Sequence, residues 1–164
     1  MKYRELHTED YPALKQMLIN LQDFFISIND EYCKFSSATA QNYLDKIVDD
    51  TEKMNGRIIL ALENERAIGF IQGVIIEKKD LQYHPCREGW IGLLYIEDEF
   101  RNQDVGRTLM DKMRDYFSAN KCDSIKLFCY NQNTTAIDFY QKYGFTVSSL
   151  ELKLQLAGTE TCNQ

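Results

Sequence analysis

The stretch WIGLLYIEDEFRNQDVGRTLM, residues 90–110, decides how this chain is read. Residues 90–96 are an apolar run with strand composition, and a polar segment follows. From Val105 apolar residues recur at Leu109, Met113 and Tyr116, the spacing of one helix face. The stretch therefore reads as a buried strand, a short turn and a helix N-terminus. The first amides of a helix lack internal acceptors and its dipole is positive there, so such a turn is an anion site. Arg101 and Arg107 add positive charge beside it. Asp104 is out of keeping: it puts a carboxylate where a phosphate-binding turn usually has glycine.

On the N-terminal side, residues 2–6 form a short strand. A helix follows with Thr8 as its N-cap and Leu14, Met17, Leu18, Leu21 and Phe25 on one face. After the break SINDEYCKFSS, a second helix carries Ala40, Tyr43, Leu44, Ile47 and Val48. GRIILALE and FIQGVIIEKK flank the turn-like NERAIG and pair as a hairpin. On the C-terminal side, SIKLFCY (124–130) is a strand. NTTAIDFYQKYGF is a helix with Ala136, Phe139, Tyr140 and Tyr143 in one stripe and Gly144 at its end. In LELKLQL (150–156), Leu150, Leu152, Leu154 and Leu156 alternate with Glu151, Lys153 and Gln155, the pattern of a strand. The predicted order is β-α-α-β-β-β-α-β-α-β-β, an α/β mixed sheet with helices on both faces.

The 164 residues suit one continuous unit, 1–164, and no linker or repeat interrupts them. The chain is 44% hydrophobic, enough for a substantial core, and its net charge of −6 argues against a nucleic-acid partner. No apolar run approaches the ~20 residues that span a bilayer, and the first residues lack a signal-peptide core. Cys33, Cys86, Cys122, Cys129 and Cys162 share no CxxC spacing, and His7 and His84 stand apart. The expectation is packed, reduced thiols, no metal site and a cytoplasmic location.

The arrangement LLYIEDEFRNQDVGRTLM, then a strand, then NQNTTAIDFYQKYGF resembles the GNAT superfamily of acyl-CoA-dependent N-acetyltransferases. The family segment V-x-P-x-[FY]-R reads I-E-D-E-F-R from Ile96 to Arg101, and the R-x-x-G-x-[GA] turn follows with Asp104 in place of its first glycine. The later motif N-x-x-A-x-x-F-Y-x-x-x-G-F is intact at Asn133, Ala136, Phe139, Tyr140, Gly144 and Phe145. The element order matches the family over essentially the whole chain, implying a single N-acetyltransferase domain over 1–164.

The resemblance implies acetyl-CoA as cosubstrate and a primary amine as acceptor, with direct attack in a ternary complex. The coenzyme A diphosphate would lie on the backbone of Asn102, Gln103, Asp104, Val105, Gly106, Arg107 and Thr108, next to Arg101. Pantetheine would pair with Leu94, Tyr95 and Ile96. Asn133 would bond the cofactor, cap its helix, or both. Tyr140 stands where the family has a phenol near the thioester sulfur, a general acid for the leaving thiolate. Glu88 shares the alternation of Trp90, Gly92, Leu94 and Ile96 and is the first candidate base; ordered water is the alternative.

Asp104 leaves three arrangements open. Its carboxylate faces water and the turn binds normally; binding is weakened; or the chain is a non-catalytic coenzyme A-binding relative. The carboxylate can also cap the amides of Gly106 or Arg107, occupying the donors a diphosphate needs. The family builds its acceptor site from the segments that here hold Phe24, Phe25, Asp30, Glu31, Tyr32, Phe35, Tyr83 and Glu88. Aromatic walls with carboxylates suit a cationic amine. The alternating C-terminal strand is also the element through which a homodimer would pair.

Overall fold

The structure, a computed structural model, describes residues 1–29, 32–79 and 84–154. Its sheet has five strands in the order β1 (Lys2–Glu5), β2 (Arg57–Glu63), β3 (Arg66–Lys78), β4 (Cys86–Ile96) and β5 (Ser124–Leu127). All neighbours are antiparallel except β4 and β5, which are parallel. The β2–β3 hairpin closes on Asn64 and Glu65, both with positive φ (48° and 63°). Two such residues in a row make the tight turn whose twist matches the flanking strands.

The helices α1 (Tyr11–Ile28) and α2 (Ser37–Lys53) cover one face; α3 (Val105–Ala119) and α4 (Thr134–Tyr143) cover the other. Helix α1 buries Leu14, Met17, Leu18 and Leu21, the predicted stripe, against Phe70 and Tyr95 of the sheet. Its start lies later than expected. Thr8 opens a single 3-10 turn, and Asp10 holds the N-cap position of α1 without a side-chain bond to it, with Pro12 in the first turn, where a missing N–H costs nothing. Ser36 caps α2, its hydroxyl accepting from the Thr39 amide at 3.1 Å. On the opposite face Leu109, Met110, Met113 and Phe117 of α3 pack on Ile71, Ile75 and Ile91. Each fully buried side chain of this size contributes about 1.5–3 kcal/mol.

The order of elements agrees with the sequence reading through α4 and then departs from it. The strand expected at 124–130 ends at Leu127. Residues 150–154 of the expected last strand carry no regular structure, and residues 155–156 lie outside the described part. Leu150, Leu152 and Leu154 are 82%, 92% and 84% exposed. Alternation makes a strand only where a neighbour offers a free edge in register. Here the adjoining edge, β5, is four residues long. The homodimer expected through that strand therefore has no formed strand to rest on among the described residues.

Candidate acetyl-coenzyme A site

Strand β4 has a bulge. Ile91 pairs with Gly73 and Leu93 with Gln72, so Gly92 is an extra residue. A bulge shifts the alternation of side chains by one. Glu88 and Trp90, opposite Ile76 and Val74, therefore share a face with Leu93 and Tyr95 and not with Leu94 and Ile96. Ile91, Leu94 and Ile96 pack on the α3 side. Pairing with β5 runs from Glu88↔Ser124 to Ile91↔Leu127 and stops at the bulge. Beyond it, the outer edge of residues 92–96 has no strand partner among the described residues. That free edge beside Leu94, Tyr95 and Ile96 is the candidate slot for an extended chain added as a strand.

Glu88 does not reach that slot. At about 3.3 Å per residue it lies roughly 20 Å from Leu94 along the strand. The residue is 5% exposed, and its carboxylate accepts from Lys78 Nζ at 2.7 Å and Lys126 Nζ at 2.6 Å. Burial alone would push its carboxyl upward; the two ammonium groups outweigh that and hold it below the usual carboxylate range. A carboxylate so paired is a poor proton acceptor. The expectation of Glu88 as base fails because a bulge, invisible in the apolar run, turned the strand between it and the slot.

The turn after β4 is built from backbone. Asn102 and Asp104 both adopt left-handed conformations, φ 61° and 58°. Asp104 is the N-cap residue of α3, yet its side chain bonds none of the helix amides and is exposed to solvent. The capping arrangement considered for it is thus overturned, and the aspartate tolerates left-handed geometry as expected. From Asn102 to Arg107 no backbone N–H has an acceptor among the described residues; the first engaged is Thr108, bonded to the Asp104 carbonyl at 2.9 Å. Free donors at a helix N-terminus suit an anion, which makes this turn the candidate cradle. Arg101 braces it, donating from Nε to the Ile96 carbonyl at 3.1 Å and pairing with Asp98 at 2.7 Å. Gln103 Nε2 donates to the Glu99 carbonyl at 2.8 Å. Arg107 lies over the Tyr143 ring, 5.8 Å from its centroid.

Gly106 ties three elements together. A Cβ there would stand 2.9 Å from Ile96 Cδ1 and 3.4 Å from Phe139 Cζ. The end of β4, the start of α3 and helix α4 thus meet within one side chain's breadth, which requires glycine. Asn133 caps α4, its Oδ1 accepting from the Ala136 amide at 3.2 Å, and Gly144 closes it at φ 117°. Tyr140, next to Phe139, is half-buried, with ring centroids 5.3 Å from Phe139 and 5.7 Å from Phe145. Its hydroxyl has no hydrogen-bond partner among the described residues. Burial raises its ionisation well above the ordinary phenol range, so it is protonated at neutral pH. Cys129 is half-buried with its thiol pushed up by burial, the state of a packed thiol.

An aromatic group joins α1, the segment after it and the residues past β5. Phe25 stacks on Tyr32 at 5.2 Å between centroids, and the Tyr32 and Tyr130 hydroxyls hydrogen-bond at 2.6 Å. The contact links the segment between α1 and α2 to the residues just past β5. Phe128 stands edge-on to Tyr130 at 4.9 Å. Asp30, Glu31 and Tyr83 lie outside the described residues. Sequence reasoning missed Tyr130, which it placed inside a strand. It also missed Gln72, the one polar residue in GFIQGVII and 7% exposed. A polar residue interrupting an apolar strand was the available signal. Among the described residues no cluster of His, Cys, Asp or Glu suits a metal ion, and no helix is long and apolar enough to cross a membrane.

Comparison with known proteins agrees with this geometry. The N-alpha-acetyltransferase 30 of Dictyostelium discoideum is 38% identical over 79 residues, 48% of this chain and 42% of that protein. The Schizosaccharomyces pombe N-alpha-acetyltransferase 30 is 29% identical over 101 residues, 62% of this chain and 65% of that protein. The matches thus span less than two thirds of either relative. Among solved structures, the BH1408 protein of Bacillus halodurans superposes with a TM-score of 0.84 at 16% identity, covering 95% of this chain and 99% of that one. The aminoglycoside acetyltransferase AAC(6')-Iy, bound to the bisubstrate analogue CoA-S-monomethyl-acetylneamine, gives 0.72 at 13% identity, covering 94% and 97%. At these identities the likeness is one of fold. The model of the Acetyltransferase (GNAT) family matches residues 16–145, most of the length, and the chain belongs to that family.

Proposed function

We propose that the chain, as one N-acetyltransferase unit, transfers the acetyl group of acetyl-CoA to a primary amine. The acceptor class we favour is the α-amino group of a protein N-terminus. The observation that carries this reading is the convergence at Gly106. The unpaired edge of residues 92–96, the free amides of 102–107 and the Tyr140 helix all border one place. The preference for a protein amine is supported by the relatives, which bear the name N-alpha-acetyltransferase 30. A cytoplasmic setting is consistent with Cys33, Cys86, Cys122 and Cys129, each a free thiol.

Acetyl-CoA supplies an acyl carbon already activated as a thioester. The residues of this chain do the rest. Amides from Asn102 to Arg107 bind the diphosphate, with Asp104 turned outward so that its charge is not aimed at it. The free edge of Leu94 to Ile96 orients the pantetheine arm and holds the acyl carbonyl near a backbone N–H. The amine nitrogen forms a bond to the acyl carbon as the carbon–sulfur bond breaks. The amine gives up one proton to water, and the leaving sulfur gains one, with Tyr140 Oη as donor. Burial makes the phenol the weaker acid of the pair, so it passes its proton to the sulfur only as solvent resupplies one. No enzyme nucleophile is required.

The test is thiol release from acetyl-CoA with peptides that differ only in a free or blocked N-terminus, with products weighed by mass spectrometry. We expect release and a gain of one acetyl group with the free peptides alone. Coenzyme A binding without release, for any peptide or small polyamine offered, would reduce the chain to a coenzyme A-binding module.

A further inference from the structure

We propose that Gln72 binds the acceptor amine through its side-chain oxygen and orients it for attack; this rests on the acetyl-transfer reading above. Gln72 lies in β3 opposite the bulge, with 7% of its surface exposed. Its Nε2 donates to Thr51 Oγ1 at 2.9 Å, and that hydroxyl donates in turn to the Ile47 carbonyl at 2.7 Å. The second bond settles which way the carboxamide points. The only hydroxyl proton of Thr51 is committed to Ile47, so its oxygen can only accept from Gln72. The NH2 end therefore faces α2 and the oxygen faces β4.

At β4 that oxygen meets Gly92. A Cβ there would overlap Gln72 Oε1, so the bulge residue must be glycine for the carboxamide to fit. Gly92 is exposed, and Trp90 and Leu93 on the same face are only half-buried. Gln72 Oε1 has no hydrogen-bond partner among the described residues. Among the same residues, Arg87 Nε, which faces Glu77 Oε1 at 3.5 Å, is the one side-chain polar atom sealed from solvent with no hydrogen bond. The Gln72 oxygen is therefore not sealed from solvent at the residue where β4 parts from β5.

The geometry of attack selects this face. Behind Leu94 and Ile96 the α3 and α4 side is filled by core, including Met110 and Phe139. An amine reaching a thioester on the free edge of β4 must come from the α1–α2 side, past Gly92. A rigid, unpartnered acceptor there takes one N–H and fixes where the nitrogen lone pair points. Being a neutral amide it takes no proton, which leaves the amine's proton to water.

Gln72→Met keeps length and volume and removes the acceptor; Thr51→Val keeps shape and releases the carboxamide. Steady-state kinetics would use the free-amine peptide that the wild-type chain acetylates best. For Gln72→Met we expect kcat/KM for the peptide to fall about tenfold or more, a hydrogen bond to a polar substrate group being lost. For Thr51→Val we expect a smaller fall of the same kind. Coenzyme A affinity, by calorimetry, should stay unchanged in both. Undiminished kcat/KM for the peptide in Gln72→Met, even with a lowered melting temperature, would overturn the role and leave the acetyl-transfer reading intact. A wild-type chain that acetylates no amine would overturn both.

Discussion

The two halves of β4 are made of one strand and do opposite things. From Glu88 to Ile91 the strand is paired on both edges, and its one charged side chain is clamped between Lys78 and Lys126. From Gly92 to Ile96 it is paired on one edge only among the described residues, and the turn that follows has amides with no acceptor among them. One inserted residue separates a half closed by its neighbours from the half we propose binds the ligand. The chemistry of a side chain on this strand depends less on its type than on which side of Gly92 it stands.

The largest effect should come from the open half. Tyr140→Phe removes the hydroxyl we assign as acid. General acid catalysis is worth about 100-fold or more, so kcat should drop by that order. Coenzyme A affinity should be unchanged, since the ring and its contacts with Phe139 and Phe145 remain. Equal kcat in the variant would remove Tyr140 from the mechanism.

Breaking the closed half should act on stability. Glu88→Ala removes the carboxylate shared by two lysines that are themselves about a third exposed, 30% and 38%, and should cost about 1.5 kcal/mol in chemical denaturation. The pH profile of kcat should keep its shape, because Glu88 is not the base. The carboxyl is depressed in the folded chain, so its contribution is present above the ordinary carboxylate range, about 4.3. It is lost as pH falls through the lower folded value. Glu88→Gln should lack that part of the acid-induced loss; an identical acid limb in both proteins would contradict the triad.

The smallest effect belongs to the turn. Asp104→Gly relieves a left-handed residue and removes an exposed carboxylate near the anion cradle. Coenzyme A should bind as tightly or up to about fivefold more tightly, equivalent to about 1 kcal/mol, with a weaker salt dependence. A clear loss of affinity by calorimetry would mean that the carboxylate has a constructive role.

Much of this was open to reading before any coordinates. The helix stripes at Leu14, Met17, Leu18, Leu21 and at Leu109, Met113 announce themselves by period, and Asn133 with Gly144 marks both ends of α4. The turn with its free amides was legible because a helix N-terminus after a strand has free donors whatever its side chains. The readings that failed share one cause. Glu88, the end of β5 and the strand at 150–156 were each inferred from local alternation, and each is decided by a neighbour or a bulge.

What the sequence determined by itself is the set of amphipathic segments, their order and the family motif from Asn133 to Phe145, because period and capping are properties of contiguous residues. Tertiary structure alone decided the bulge at Gly92, the early end of β5 and the outward turn of Asp104. It also decided the packing of Ile96, Gly106 and Phe139, and the way Gln72 points. These depend on registers and contacts between residues far apart in the chain, and no local pattern encodes which edge of a strand will be left open.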